Sequence, residues 1–121
     1  MLMLSALFKS IIDQDTDPVV ICDPDSVIVY MNPASVRRYR ADLTGKNLAL
    51  CHNPESAAKI RQVLSWFRES PDHNRVFTTR VDRENADVYM IALRDSDGSL
   101  IGYYEKHERR DRDQTPFYTL D

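Results

Sequence analysis

Two Asn-Pro steps, Asn32-Pro33 and Asn53-Pro54, constrain this chain more than any other feature. An Asn side chain can accept a free N–H at a helix start, and the fixed φ and missing N–H of Pro suit the first helical turn. Each step therefore opens a helix. The first follows two β-branched runs, Val19 to Cys22 and Val27 to Met31, joined by the turn formers Asp23-Pro24-Asp25-Ser26, which predicts an antiparallel hairpin. The helix after it should run from Ala34 to about Tyr39, with Gly45 closing the next turn. The second step starts the main helix, whose Ile60, Val63, Leu64 and Phe67 recur at i, i+3, i+4 and i+7 and which stops near Pro71.

Three further strand-like runs follow, Val76 to Val81, Val88 to Leu93 and Leu100 to Tyr104, the last two joined by Asp95-Ser96-Asp97-Gly98. Two strands, a helical crossover and three more strands predict an α+β fold: a five-stranded antiparallel sheet with its helices on one face and the last strand beside the first. Ahead of it, Leu4, Leu7, Phe8 and Ile11 sit at helical spacing and predict a flanking amphipathic helix, separated from the body by the polar run Asp13 to Asp17. The expected division is residues 1–17 for that helix and its linker, 18–107 for the body, and 108–121 for a charged and polar tail, mobile or a docking peptide.

At 121 residues, with 42% hydrophobic and 29% charged side chains, the chain has material for one domain and one core. Its 16 basic and 19 acidic residues are interspersed for a net charge of −3, which gives no broad positive field for nucleic acid or anionic lipid. Cys22 and Cys51 form neither a disulfide framework nor a zinc pattern, and a reducing compartment fits them. The apolar stretch Met1 to Phe8 has no basic region before it and is interrupted by Ser5, then Lys9, so neither a secretion signal nor a membrane span is expected. The expected location is cytoplasmic.

The order of elements from about Pro18 to His107 resembles the PAS family. Val29-Tyr30-Met31-Asn32-Pro33-Ala34 is similar to that family's strand-to-helix entry, and Asp42-Leu43-Thr44-Gly45-Lys46 to its following Gly turn. Tyr89 to Glu105, with Arg94-Asp95, Gly98, Gly102 and Glu105, resembles the C-terminal hairpin of PAS modules found beside bacterial hemerythrin-like domains. Cys51-His52 before Pro54 is similar to a segment of the same subgroup. Ser26 stands where such hairpins often carry Gly, and Arg109-Arg110-Asp111-Arg112-Asp113 where the family usually has an Asp-x-Thr exit motif. The resemblance implies a sensory module that binds a small molecule or a signalling partner, without catalysis of its own.

Four chemistries can be weighed on the residues. Light-sensing members carry a reactive Cys where this chain has Leu48, in Gly45-Lys46-Asn47-Leu48, which argues against a flavin photoadduct. His52 could supply an axial nitrogen to haem, but a turn hydrogen bond or solvent exposure is the more ordinary role for a His beside an N-cap. Cys51 could sense oxidants near a helix N-terminus, against the commoner role of a small buried hydrophobe. Asp95 and Asp97 beside Gly98 are too short a ligand string for calcium, and a turn explains them. No metal-ligand spacing joins His52, His73 and His107, and no Ser/His/Asp set or phosphate-binding loop suggests an enzyme.

The residues expected to line a ligand pocket are Asn32, Cys51, His52, Phe67, Phe77, Tyr89, Ile91 and Tyr103, although rings on late strands fill cores as readily as they frame cavities. Trp66 falls off the main helix's apolar stripe and should lie at its edge, hinting at a partner surface. Leu4, Leu7, Phe8 and Ile11 need a cover, and the equivalent helix of a second subunit supplies one, so a homodimer is expected. The functional expectation is a small-molecule or partner sensor; a ligand-free dimerisation module and a haem sensor using His52 are the alternatives.

Overall fold

The computed structural model of the chain describes residues 2–120. Helix α1 spans Leu2–Gln14, β1 Val19–Cys22, β2 Ile28–Met31, α2 Pro33–Tyr39, α3 Pro54–Glu69, β3 Arg75–Val81, β4 Ala86–Arg94 and β5 Leu100–Arg109. Short 3₁₀ turns occupy Leu48–Cys51 and Asp82–Glu84. The strands form one antiparallel sheet in the order β2-β1-β5-β4-β3, so the last strand does lie beside the first. The fold is the α+β, PAS-like arrangement expected, with α1 ahead of the strands.

Both Asn-Pro steps act as their chemistry requires. Asn32 accepts from the Ser35 N–H at 3.0 Å and Asn53 from the Ser56 N–H at 2.8 Å, each with Pro at the first helical position. In the β1–β2 turn the Asp23 carboxylate accepts from Asp25 and Val27 N–H groups, and Ser26 takes a left-handed φ of 69°. At that position Gly would be unstrained. Ser26 is held there by a buried bond, its Oγ accepting from the Tyr103 hydroxyl at 2.8 Å. Gly102 is required for another reason: a Cβ there would lie 2.4 Å from the Cys22 carbonyl oxygen on the neighbouring strand.

The core lies between α3 and one face of the sheet. Ile60, Val63, Leu64 and Phe67 pack there against Val20, Cys22, Met90 and Tyr103, closed by Leu48 from the 3₁₀ turn and by Ile28 and Met31. Strand alternation then assigns the other sheet face. Tyr89 and Ile91 flank the inward Met90, and Ile21, Tyr104 and Lys106 form an outer strip on which Ile11 and Ile12 of α1 lie.

Strand β5 runs five residues beyond the expected Tyr104, because Ala86 and Asp87 extend β4 ahead of Val88 and the three give Arg109, Glu108 and His107 partners. The chain past it is not free at its start: Arg110 donates to the Asp87 carboxylate at 2.8 Å and the Tyr89 hydroxyl at 2.7 Å. Among the described residues, no helix is long and apolar enough to cross a membrane.

Candidate functional site

A cleft of about 330 Å³ opens between α2, the Leu48–Cys51 turn, α3 and strands β3 to β5. Its position follows from the sequence. Arg38 and Tyr39 end the short α2 on the cleft side, and the 3₁₀ turn presents Cys51 and His52 at the start of α3. Across the cleft, β5 alternation that turns Tyr103 into the core also turns Glu105 and His107 inward. Ile60, Val81, Val88 and Met90 supply the apolar wall.

The polar floor of this cleft is unusual for a protein interior. Glu105 is buried, with the Tyr39 hydroxyl donating to its Oε1 at 3.4 Å as its hydrogen-bonded neighbour. Desolvation pushes its carboxyl above the usual range, against the opposing pull of His52, Tyr39 and Arg38. His107 is buried two residues on, and burial, helped by the Arg38 charge, lowers its pKa to about 4, which leaves the imidazole neutral near pH 7. Burial also raises the Tyr39 phenol, so that it stays a hydroxyl donor. Among the described residues, two nitrogens are removed from solvent without a hydrogen-bond partner, Arg38 Nε and His52 Nδ1. The Arg38 Nη2 nitrogen donates to Glu84 at 3.2 Å, and its Nε has no partner.

Of the residues the sequence nominated for a pocket, Cys51 and His52 line this cleft and the other six do not. Asn32 is fully buried at the junction of α1, β1 and α2, where its carboxamide is consumed by backbone groups. Phe67 and Tyr103 are completely buried and fill the core rather than frame a cavity. Tyr89, Ile91 and Phe77 belong to the opposite sheet face, because they alternate with Met90 and Val76, which face α3. Tyr89 is nevertheless covered, by the Arg75 guanidinium at 3.9 Å from its ring, by Phe77 at 5.2 Å and by Arg110.

Cys51 is exposed, which corrects its reading as a small buried hydrophobe; the buried thiol is Cys22, whose pKa burial pushes up to about 12. Trp66 lies at the helix edge, its indole stacked on the His73 ring at 3.9 Å, while His73 Nδ1 sits 2.8 Å from the Trp66 carbonyl oxygen. Among the described residues no group of three or more His, Cys, Asp or Glu side chains could hold a metal ion. The residues that make the cleft polar, Arg38, Glu105 and His107, were not nominated. Their signal was present: Tyr103, Glu105 and His107 share one face of β5 by the two-residue period, so an inward Tyr103 brings two titratable groups with it.

The family model for the PAS domain matches residues 16–105, which takes in all five strands up to Glu105 and every helix after α1. The chain belongs to the PAS domain family. The PAS domain from a Colwellia psychrerythraea protein superposes with a TM-score of 0.67 at 14% identity, over 88% of this chain and 96% of that one. The PAS domain of Bordetella pertussis BvgS gives 0.64 at 15% identity, over 91% and 88%. A sensory box sensor histidine kinase from Vibrio cholerae gives 0.57 at 21% identity, over 89% and 92%. At these identities the likeness is one of fold. No curated protein matches the chain. PAS domains are typically sensory modules of signalling proteins and generally non-catalytic, and the helix α3, cleft and sheet described above are this PAS domain's version of that architecture.

Proposed function

We propose that this PAS domain is a sensory module that takes a small molecule into the cleft between α3 and the sheet and passes the change to a signalling partner, performing no catalysis itself. One observation carries the reading: Arg38 Nε and His52 Nδ1 are buried without partners beside a buried Glu105. Buried polar atoms are almost always hydrogen-bonded, and leaving one unpaired costs about 1–3 kcal/mol, so a cleft holding two unpaired nitrogens is poised for a polar guest. The about 330 Å³ of space falls in the range of small-ligand sites, and its mixed wall of Ile60, Val88 and Met90 facing Arg38 and Glu105 suits orientation by a few polar groups.

The test is native mass spectrometry of the freshly purified full chain beside its absorption spectrum. An added mass of a few hundred daltons or less, released on denaturation and absent from an Arg38→Gln, His52→Phe double variant, is the expected result. Visible bands that disappear in His52→Ala would assign haem instead. A bare mass that persists after incubation with a metabolite extract would sink the small-molecule reading.

A second reading, dimerisation, has its own observation. Leu4, Leu7, Phe8 and Ile11 are 48%, 54%, 56% and 69% exposed on α1, an apolar face that a single chain leaves largely open. A second copy related by a two-fold axis would cover it, and the two readings are compatible.

A further inference from the structure

The charges around the cleft narrow the class of molecule it can accept, and this step rests on the small-molecule reading above. The lining contains two cationic side chains, Arg38 and Lys59, and one carboxyl, Glu105. Lys59 is partly committed, its Nζ donating to the Thr78 carbonyl at 3.2 Å, and the outer end of Arg38 is held by Glu84. What remains unpaired and turned from solvent is the Nε–H of a permanently charged guanidinium and one imidazole nitrogen.

We propose that the cleft takes a small organic carboxylate, its charged group accepting from Arg38 Nε and His52 Nδ1 and its compact apolar body lying against Ile60, Val88 and Met90.

The alternative guest is an organic cation paired with Glu105, and the surroundings of that carboxyl decide against it. Glu105 is desolvated, which favours its acid form, and Tyr39, Arg38 and His52 already stand against it, so it is a poor counter-ion for an incoming cation. A cation would also have to share the cleft with Arg38 and Lys59 in a medium where like charges repel strongly. A carboxylate meets the opposite conditions: a fixed positive charge and an unpaired N–H on it. Phosphate, carrying more charge and no apolar body, leaves the Ile60, Val88 and Met90 wall uncovered.

Three probes of one shape test it: benzoate, neutral benzamide and cationic benzylammonium, titrated into the isotope-labelled full chain by NMR with calorimetry for affinity. Benzoate should bind at least about tenfold tighter than benzamide, the ratio expected for one charge-assisted hydrogen bond, and should shift the resonances of Arg38, His52 and Glu105. Arg38→Gln should reduce that preference to about one. Should Arg38→Gln not fold, His52→Phe reads the second contact and must lower the preference. Tightest binding of benzylammonium, equal binding of benzoate and benzamide, or binding of none of the three would overturn the carboxylate assignment. None of those results touches the mass measurement above, which alone decides whether a small molecule is carried.

Discussion

The guanidinium of Arg94, on β4, donates to the backbone carbonyl of Phe67, on α3, at 2.7 Å. The same side chain reaches the carbonyls of Ser70 and His73, both at 3.1 Å, that of Gly98 at 3.0 Å and the Asn74 carboxamide oxygen at 2.6 Å. The last carbonyls of a helix have no partner within it, and here a strand residue supplies one. One cation thus closes the C-terminus of α3, where the helix dipole favours it, and pins the loop and the β4–β5 turn around it.

Replacing Arg94 should therefore weaken the packing of α3 on the sheet as a whole. Arg94→Ala should cost about 2–4 kcal/mol and Arg94→Lys about 1–2, since a single ammonium cannot reproduce the planar fork. Urea unfolding of the two variants checks this. Loss of less than about 0.5 kcal/mol in Arg94→Ala would mean that water replaces the bonds at no cost.

Asn32 joins three elements through one carboxamide. Its oxygen accepts from Val19 and Ser35 N–H groups at 2.9 and 3.0 Å, and its nitrogen donates to the carbonyls of Ile12 and Asp17, both at 3.0 Å. Asn32→Ala should cost about 2–4 kcal/mol by removing the cap and stranding buried groups. Asn32→Asp keeps the acceptor and loses the donor, so it should hold α2 while loosening α1. Hydrogen exchange should accelerate across residues 2–14 in Asn32→Asp and across both helices in Asn32→Ala.

Phe67 is completely buried in the centre of the core. Phe67→Ala should cost about 3–5 kcal/mol in equilibrium unfolding, the transfer and cavity contributions together.

His107 and Glu105 give stability opposite pH slopes. The His107 pKa is lowered from 6.5 to about 4, so between those values the unfolded chain binds a proton that the folded one does not, and stability falls as pH drops through that window, by up to about 3 kcal/mol. The Glu105 carboxyl is raised above 4.5, so the unfolded chain loses its proton first and stability falls as pH rises from there towards the folded value. His107→Gln should flatten the acid side of the profile and Glu105→Gln the other side. Melting temperatures measured from pH 4 to about 8 give the comparison, and parallel profiles in all three proteins would contradict both assignments.

The exposed face of α1 should govern self-association. Leu7→Glu with Ile11→Glu places charge on that face while sparing Ile12, whose carbonyl Asn32 holds. Sedimentation equilibrium should show a dimer for the parent chain and a monomer for the variant. An interface that survives these changes lies elsewhere, and a parent chain that stays monomeric at high concentration has none.

Local chemistry determined most of the fold. The Asn-Pro steps placed the two helices, the turn at Asp23 to Ser26 placed the first hairpin, and the four-residue stripe from Ile60 to Phe67 named the face of α3 that meets the sheet. Each depends on groups within a turn or two of one another. The cleft was less legible, because pocket membership depends on which sheet face a residue joins and what stands opposite it. The period of two separates Tyr89 from Met90, but which set faces α3 is set by the pairing of β4 with β3 and β5. Asn32 reads as a helix cap in sequence, and its further bonds, to residues 13 and more positions away, exist only once α1 folds back across β1. Arg38 carries no local mark, and Arg94 stands out only within the hairpin that carries the resemblance, with nothing to name its partners. A guanidinium finds its partners at the end of a long side chain, so the carbonyls around Arg94 and the unpaired Nε of Arg38 were decided by the packing of distant segments alone.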